Sequence, residues 1–565
     1  MKRFALSLLV LVALALVRPT CRVLAANSYY LAATGGNDTN SGLSPNLPWA
    51  TFAHAWTVLQ PGDTLYLLDG TYYQTMQPTI NGDGPLYGHP QTRYITVKAL
   101  NDGQAVIDGQ HQREAVVLGK TWDQIASYTR DTINPFGNYF DIEGIVAANS
   151  TMDVWEVYSR DVILRRDSGY NANPHDNYHV FTVWSQGSPA NPANILLEDN
   201  VAAGSGRKMI IAYDTYVNIT FRRNFAAWQW WLGDAWCAKT QLPYWPQSDG
   251  IEIYPKAYAD QPDVLNNSLV ENNLVFGLTP DYGTSLSPNP GLRAGNSYYG
   301  DMAIGTGMRW DNTQQKFVAP AFDSSSCTYN GIAKPAACAN TQCISLANVG
   351  AYRSGFVLGS YANPLFKNNL FQDIFAWGDG GPGLNAGPWA NGSLNNSLIR
   401  ATLVNNSLGN PPPPTGTGVD TTANDLAQFT TKSDLKIGHV SGGSPYTGGG
   451  AKLEYEYTNG TQTATPLWPW PMENRIKKEF ANPAFFQADG VNGRVWTNFS
   501  VTGTVCPILL QYGAVPSCPG GGVPIPGDLN NDGRVDISDL RLLLSEFGTS
   551  YGLSDLSTVI ANFGR

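Results

Sequence analysis

Near the C-terminal end, the stretch GDLNNDGRVDISDL places Asp528, Asn530, Asp532, Asp536 and Asp539 at the first, third, fifth, ninth and twelfth positions of one loop. Gly533 falls where such a loop must turn sharply, and Arg534, at the seventh position, offers its backbone carbonyl. Oxygen ligands at this spacing suit Ca2+, a hard cation that a loop of about twelve residues can wrap completely. Val535 supplies an apolar anchor, and LRLLLSEFG continues as an amphipathic helix. The plainer alternative is a solvated acidic turn. A second stretch crowds Trp228, Trp230, Trp231, Trp236 and Trp245 together. Flat indoles stack on sugar faces and bury C–H surface beside a polar rim. The same side chains would serve equally to pack a long loop against the body of the protein.

These residues sit in a chain of 565 residues with 35 basic and 45 acidic side chains, a formal charge of −10. No basic block is present, which argues against a nucleic-acid partner. The apolar fraction of 42% is enough for a large core, which excludes wholesale disorder. Lys2 and Arg3 precede an apolar run from Ala5 to Val17, and Val23 to Ala25 offers small residues for cleavage, so residues 1–25 read as an export signal. That run is too short to span a bilayer, and no later segment looks transmembrane. An exported, extracellular or cell-surface protein is therefore expected. Cys237, Cys327, Cys338, Cys343, Cys506 and Cys518 remain after the signal, an even set that suggests disulfides. Cys506 with Cys518 is the simplest pair, closing a local loop.

The elements that must position any site come from a repeat. DVILRRDSG from Asp161, NILLEDNVA from Asn194, NITFRRNFA from Asn218, NSLVENNLV from Asn267 and NPLFKNNLF from Asn363 share one pattern, with a basic period of about 24 residues. In each, alternating apolar residues would fill a central channel. Asp167, Asn200, Asn224, Asn273 and Asn369 would stack at a bend where Asn tolerates left-handed backbone. Arg165, Glu198, Arg222, Glu271 and Lys367 would share an outward column, read either as a polysaccharide groove with Arg222 as a substrate contact or as cross-strand charge pairing. The fold class is all-β, a right-handed parallel β-helix. It would span residues 26–517, with irregular Pro/Gly-rich loops over about 405–471, a linker at 518–527 and a separate module at 528–565.

Ala33-Thr34-Gly35, Gly36-Asn37-Asp38, Asn40-Ser41-Gly42, Ala50-Thr51-Phe52 and Pro61-Gly62-Asp63-Thr64-Leu65 resemble the entry segment of secreted β-helix proteins related to pectate lyases and chondroitinase B. The resemblance implies a short capping helix around Phe52 to Leu59, a first full rung at Tyr94 to Gly109 and a next one from Tyr139. Uronide lyases of this fold need a base for the sugar C5 proton and positive charge for the resulting enolate. Lys208 and Arg207 could serve as the base, with Glu198, Asp199 and Asp214 holding a cation. Such residues on the outside of a β-helix can also be structural, and the loop histidines His175 and His179 read as hydrogen-bonding groups. QSDGIEIY faintly resembles the Asn-Thr-Asp-Gly segment of polygalacturonases, which would make Asp249 and Glu252 an acid/base pair for hydrolysis. The calcium loop, closing on Asp539 rather than Glu, resembles dockerin modules; its helix recurs as Leu553-Ser554-Asp555-Leu556 with Phe563-Gly564, but the second acidic ladder is absent.

Together these features point to a polysaccharide-active or polysaccharide-binding protein. Its best-fitting chemistry is elimination on a uronic-acid polymer, and its tail suits a cohesin-like or other cell-surface partner. A non-catalytic adhesin and a glycoside hydrolase are the alternatives.

Overall fold

Most described turns of the chain contribute three short strands, and each of these strands pairs in parallel with its counterpart on the next turn. The structure is a computed structural model that describes residues 26–121, 124–125, 133–173, 177–184, 192–213, 218–228, 249–254, strand segments between 268 and 404, 451–486, 499–511, 513–519, 535, 537–545, 547 and 553–563. Phe140–Glu143, Val146–Ala148 and Trp155–Val157 form one turn of the coil. Val162–Arg165, Ser168–Tyr170 and His179–Val183 form the next, and Ile195–Glu198, Val201–Gly204 and Lys208–Tyr213 the one after. Among the described residues the three resulting sheets hold 11, 10 and 8 strands. The fold is thus an all-β parallel solenoid. It begins earlier than Tyr94: Ser28–Leu31 pairs with Thr64–Leu67, which pairs with Ile95–Ala99.

Alternation along the first-sheet strands fills the channel. Ile95 and Val97, Phe140 and Ile142, Val162 and Leu164, Ile195 and Leu197, and Ile219 and Phe221 are all buried in one core cluster. Outward positions carry the charged column, in strict register Lys98, Glu143, Arg165, Glu198, Arg222 and Glu271. Neighbours in it are ion-paired at 3.3 Å (Lys98–Glu143), 2.9 Å (Arg165–Glu198), 3.0 Å (Arg222–Glu198) and 2.9 Å (Arg222–Glu271). Opposite charges facing each other across strands relieve the repulsion that a stack of like charges would impose.

The bend between the first and second sheets carries the asparagine ladder. Each backbone N–H donates to the side chain one turn on: Asp167 to Asn200 at 2.9 Å, Asn200 to Asn224 at 3.0 Å and Asn224 to Asn273 at 3.0 Å. Asp301 extends it, accepting from the Asn273 N–H at 2.8 Å, whereas Asn369 lies outside the described residues. The left-handed backbone is not at the ladder residues themselves. It falls one residue earlier, at Arg166, Asp199, Arg223 and Asn272, with glycine at Gly144 and Gly300. Asn tolerance of that region is used instead where each repeat opens, at Asp161, Asn194 and Asn218. There a second, exposed ladder runs from Asn218 to Asn194 at 3.0 Å and from Asn194 to Asp161 at 2.9 Å.

Helix α1, Phe52–Val58, forms in the entry segment and buries Phe52, Ala55 and Trp56 against the coil. Its N-cap Thr51 accepts from the His54 N–H at 3.1 Å, and the Asp38 carboxylate accepts from the Ala50 and Thr51 amides at 2.8 and 3.0 Å. The Thr51 and His54 amides at the helix start, which have no intrahelical acceptor, are thereby satisfied.

Part of the stretch expected as irregular loops is ordered. Tyr455–Thr458 and Thr461–Pro466 make an antiparallel hairpin. With helices α2 (Glu473–Ala481) and α3 (Val501–Gln511), this segment covers the outward side of the second sheet, burying Tyr170, Phe225, Phe276 and Met302. Cys506 and Cys518 form the local disulfide, with an S–S distance of 2.15 Å. Helix α2 locks onto the coil through Arg475, which pairs with Glu479 at 2.6 Å, while Glu479 accepts from the Ser168 hydroxyl at 2.7 Å and from Tyr170. In the tail, helices α4 (Ile537–Ser545) and α5 (Leu553–Asn562) share a small core of Val535, Leu543 and Val559. Among the described residues, no helix is long and apolar enough to cross a membrane.

Candidate functional site

The three sheets differ in what their outer faces offer. The first is occupied by its charge ladder, and the second is covered by the C-terminal segment. On the third sheet the register aligns His179, Lys208 and Asp249 in one row, and Thr182, Ile211 and Glu252 in another. Glu156 continues the second row on the preceding turn.

Lys208 and Glu252 come from adjacent turns and form an ion pair, with side chains only 7% and 5% exposed. Two charges taken this far from water are costly unless they pair, so each holds the other in place. His179 lies at the start of its strand rather than in a loop, and it is fully buried. Neither of its ring nitrogens has a hydrogen-bond partner among the described residues. Burial, reinforced by the charges of Lys208 and Arg207, drives its pKa well below the ordinary histidine value. The imidazole is therefore neutral at neutral pH, a buried polar group poised to donate or accept one hydrogen bond.

Behind His179 stands a carboxyl pair that the sequence reading did not single out. Asp153 accepts from the His179 backbone N–H. Burial raises the Asp153 pKa to about 7. Burial first, then the neighbouring charges of Asp153 and Glu114, pushes the Glu156 pKa well above the ordinary carboxylate value. The available signal was the alternation in DVWEVY, which puts an acid at an outward strand position.

The other nominated residues separate. Arg207 is half-buried, and its guanidinium donates to the Asn177 side chain at 2.5 Å. Arg222 lies in the first-sheet ladder, bonded to Glu198, Glu271 and the Asn459 side chain, and the hairpin amides of Asn459 and Gly460 cap Glu271 beside it. This is charge pairing under a covered surface, not an open groove. Glu198 and Asp199 are paired with Arg165, Arg222 and Arg223 beside the first sheet, away from Lys208 on the third. Trp228 ends a second-sheet strand, in register with Gly204. Asp214, His175, Trp230, Trp231, Trp236 and Trp245 lie outside the described residues, as do Asp528, Asn530, Asp532, Arg534 and Asp536. Asp539 is described: it sits in the first turn of α4 with its side chain buried. Among the described residues, no three His, Cys, Asp or Glu side chains are grouped to hold a metal.

Architecture and register define the chain as an all-β parallel solenoid. No protein-family model matches it, and no curated protein matches it. Among solved structures it is similar to XylC in complex with xylose, at 11% identity, with a TM-score of 0.38 and 68% of this chain covering 69% of that one. It is similar to a GH136 lacto-N-biosidase from Eubacterium ramulus, at 11% identity and a TM-score of 0.36, covering 66% of this chain and 64% of that one, less than two thirds of its length. It is also similar to pectate lyase Pel9A, at 14% identity and a TM-score of 0.37, covering 77% and 94% of the two chains. Likeness at this level carries no inference about reaction.

Proposed function

We propose that the chain acts on a polysaccharide at the outer face of the third sheet, by elimination on a uronic-acid residue. The observation that carries this reading is the buried Lys208–Glu252 pair beside His179, whose ring nitrogens have no partner among the described residues. Lys208 and Glu252 were nominated for two different chemistries, and they meet in one place. Glu252 accepts a proton from the Lys208 ammonium, which frees the amine to take the C5 proton of the sugar. The C4–O bond then breaks, a C4=C5 double bond forms, and the departing oxygen takes the proton held by Glu252, which restores the Lys208 ammonium and the Glu252 carboxylate. Arg207 lies next to this row and can offset charge building on the uronate carboxylate. Asp249, in register with Lys208, keeps hydrolysis as a second reading.

A screen of the purified protein against acidic and neutral polysaccharides separates the readings. Elimination gives products with the ultraviolet absorbance of the conjugated double bond. Hydrolysis gives reducing ends without that absorbance, and retention of polymer without turnover is the outcome for an adhesin.

The same reading includes export after removal of residues 1–25, right-handed winding, α1 as a cap over the end of the coil and a calcium-dependent attachment module. Asp528, Asn530, Asp532, Asp536 and Asp539 would hold Ca2+ with the Arg534 carbonyl. Burial of Asp539 and Val535 fits a loop folded about a centre. In the module, Ile537, Leu544, Phe547, Ile560 and Phe563 are exposed, an apolar surface suited to a cohesin-like or other cell-surface partner. Chelating calcium is expected to unfold α4 and α5 while leaving the solenoid intact. Circular dichroism would show a partial loss of helix, and the main thermal transition should not move.

A further inference from the structure

A groove of about 520 Å³ opens at the N-terminal end of the coil, far in sequence from Lys208. Its floor includes Leu59 and Ile80, and its rim includes Gln60, Asp83, Tyr87 and His89. We propose that this groove is a second saccharide site that takes a neutral sugar, with Tyr87 as its stacking platform.

Tyr87 is 39% exposed yet held in place. Its hydroxyl accepts from the Asn138 side chain at 2.9 Å, and its ring lies 5.8 Å from that of Tyr139. Tyr139 is itself fixed, accepting from the Leu86 N–H at 2.6 Å. The loop is shaped for this arrangement: a Cβ at Gly84 would come within 2.7 Å of the Tyr139 ring. An exposed aromatic ring that is already immobile loses little entropy when a ligand covers it. Apolar floor, aromatic wall and polar rim match the two-sided character of a sugar ring.

The charge balance selects the ligand class. Asp83 is paired with Arg93 at 2.6 Å, which holds its carboxyl below the usual range, and His89 is 3.5 Å from the same carboxylate. Arg93 is thereby neutralised, and no lysine is among the described residues that line the groove. A uronate carboxylate would face Asp83 without a cation to receive it. Neutral hydroxyls can instead bond to Gln60, Asp83 and His89. The site is independent of the chemistry proposed at Lys208, so either assignment can fail alone.

The test is calorimetric titration of the full chain with neutral hexasaccharides of glucose, xylose, mannose and galactose, and with hexagalacturonate as the acidic probe. At least one neutral probe should bind. Tyr87→Ala should weaken that binding at least tenfold, and Tyr87→Trp should preserve it. His89→Ala, a change at an exposed rim position, should weaken it severalfold with no change in melting temperature. The proposal is overturned if no neutral probe binds, or if binding survives both Tyr87→Ala and His89→Ala within twofold.

Discussion

Lys208→Ala is expected to lower polymer cleavage by about 100- to 10,000-fold, the range in which a positioned proton-transfer group contributes. The substitution also leaves Glu252 buried without its partner, and breaking such a pair costs about 3–5 kcal/mol. Lost activity alone would therefore not separate chemistry from folding. The double variant Lys208→Met with Glu252→Gln does so. It removes both charges at similar volume, so the melting temperature should return towards that of the native chain while cleavage stays at the level of the single variant. A pair that served only to hold the strands together would give the opposite result: restored stability together with restored activity.

Asn224→Ala should be the most damaging single change in the solenoid bend. The Asn224 side chain accepts from the Asn200 N–H at 3.0 Å, and it donates to the Leu197 carbonyl at 3.0 Å and to the Asn273 side chain at 2.9 Å. All of these groups are buried, and water cannot replace the missing partner. Each orphaned group costs about 1–3 kcal/mol, so a total of about 3–5 kcal/mol is expected after partial relaxation. Asn194→Ala removes a rung of the exposed ladder, where water substitutes, and should cost under about 1 kcal/mol. Chemical denaturation of the two variants measures the contrast. Equal losses would show that the buried ladder does not carry the bend.

The coil was legible because its information is periodic. Each turn repeats an apolar pair, a charge and an Asn, so Asp167, Asn200, Asn224 and Asn273 could be stacked from the sequence alone. The alternating column was legible for the same reason, although only the structure decides that Arg222 is paired and covered. The C-terminal cover was not legible. Its contacts join Tyr170 to Glu479, 309 residues apart, through Pro-, Trp- and Phe-rich sequence with no period. Lys208 and Glu252 were visible as chemistry but not as a pair, because nothing in the sequence between them marks the register of their two strands. His179 was read as a loop residue because the polar NANPHDNYH run masks the strand that begins at its end. Asp153 and Glu156 carry no motif; burial alone makes them unusual.

The claim on which the account rests is that the third sheet is the working face. Hydrogen–deuterium exchange of the full chain, with and without a saturating uronate hexasaccharide, tests it without assuming turnover. Protection is expected at 179–183, 208–213 and 249–254, with first-sheet strands such as 162–165 and 195–198 unchanged. Protection confined to the first sheet or to the 455–466 hairpin would contradict it.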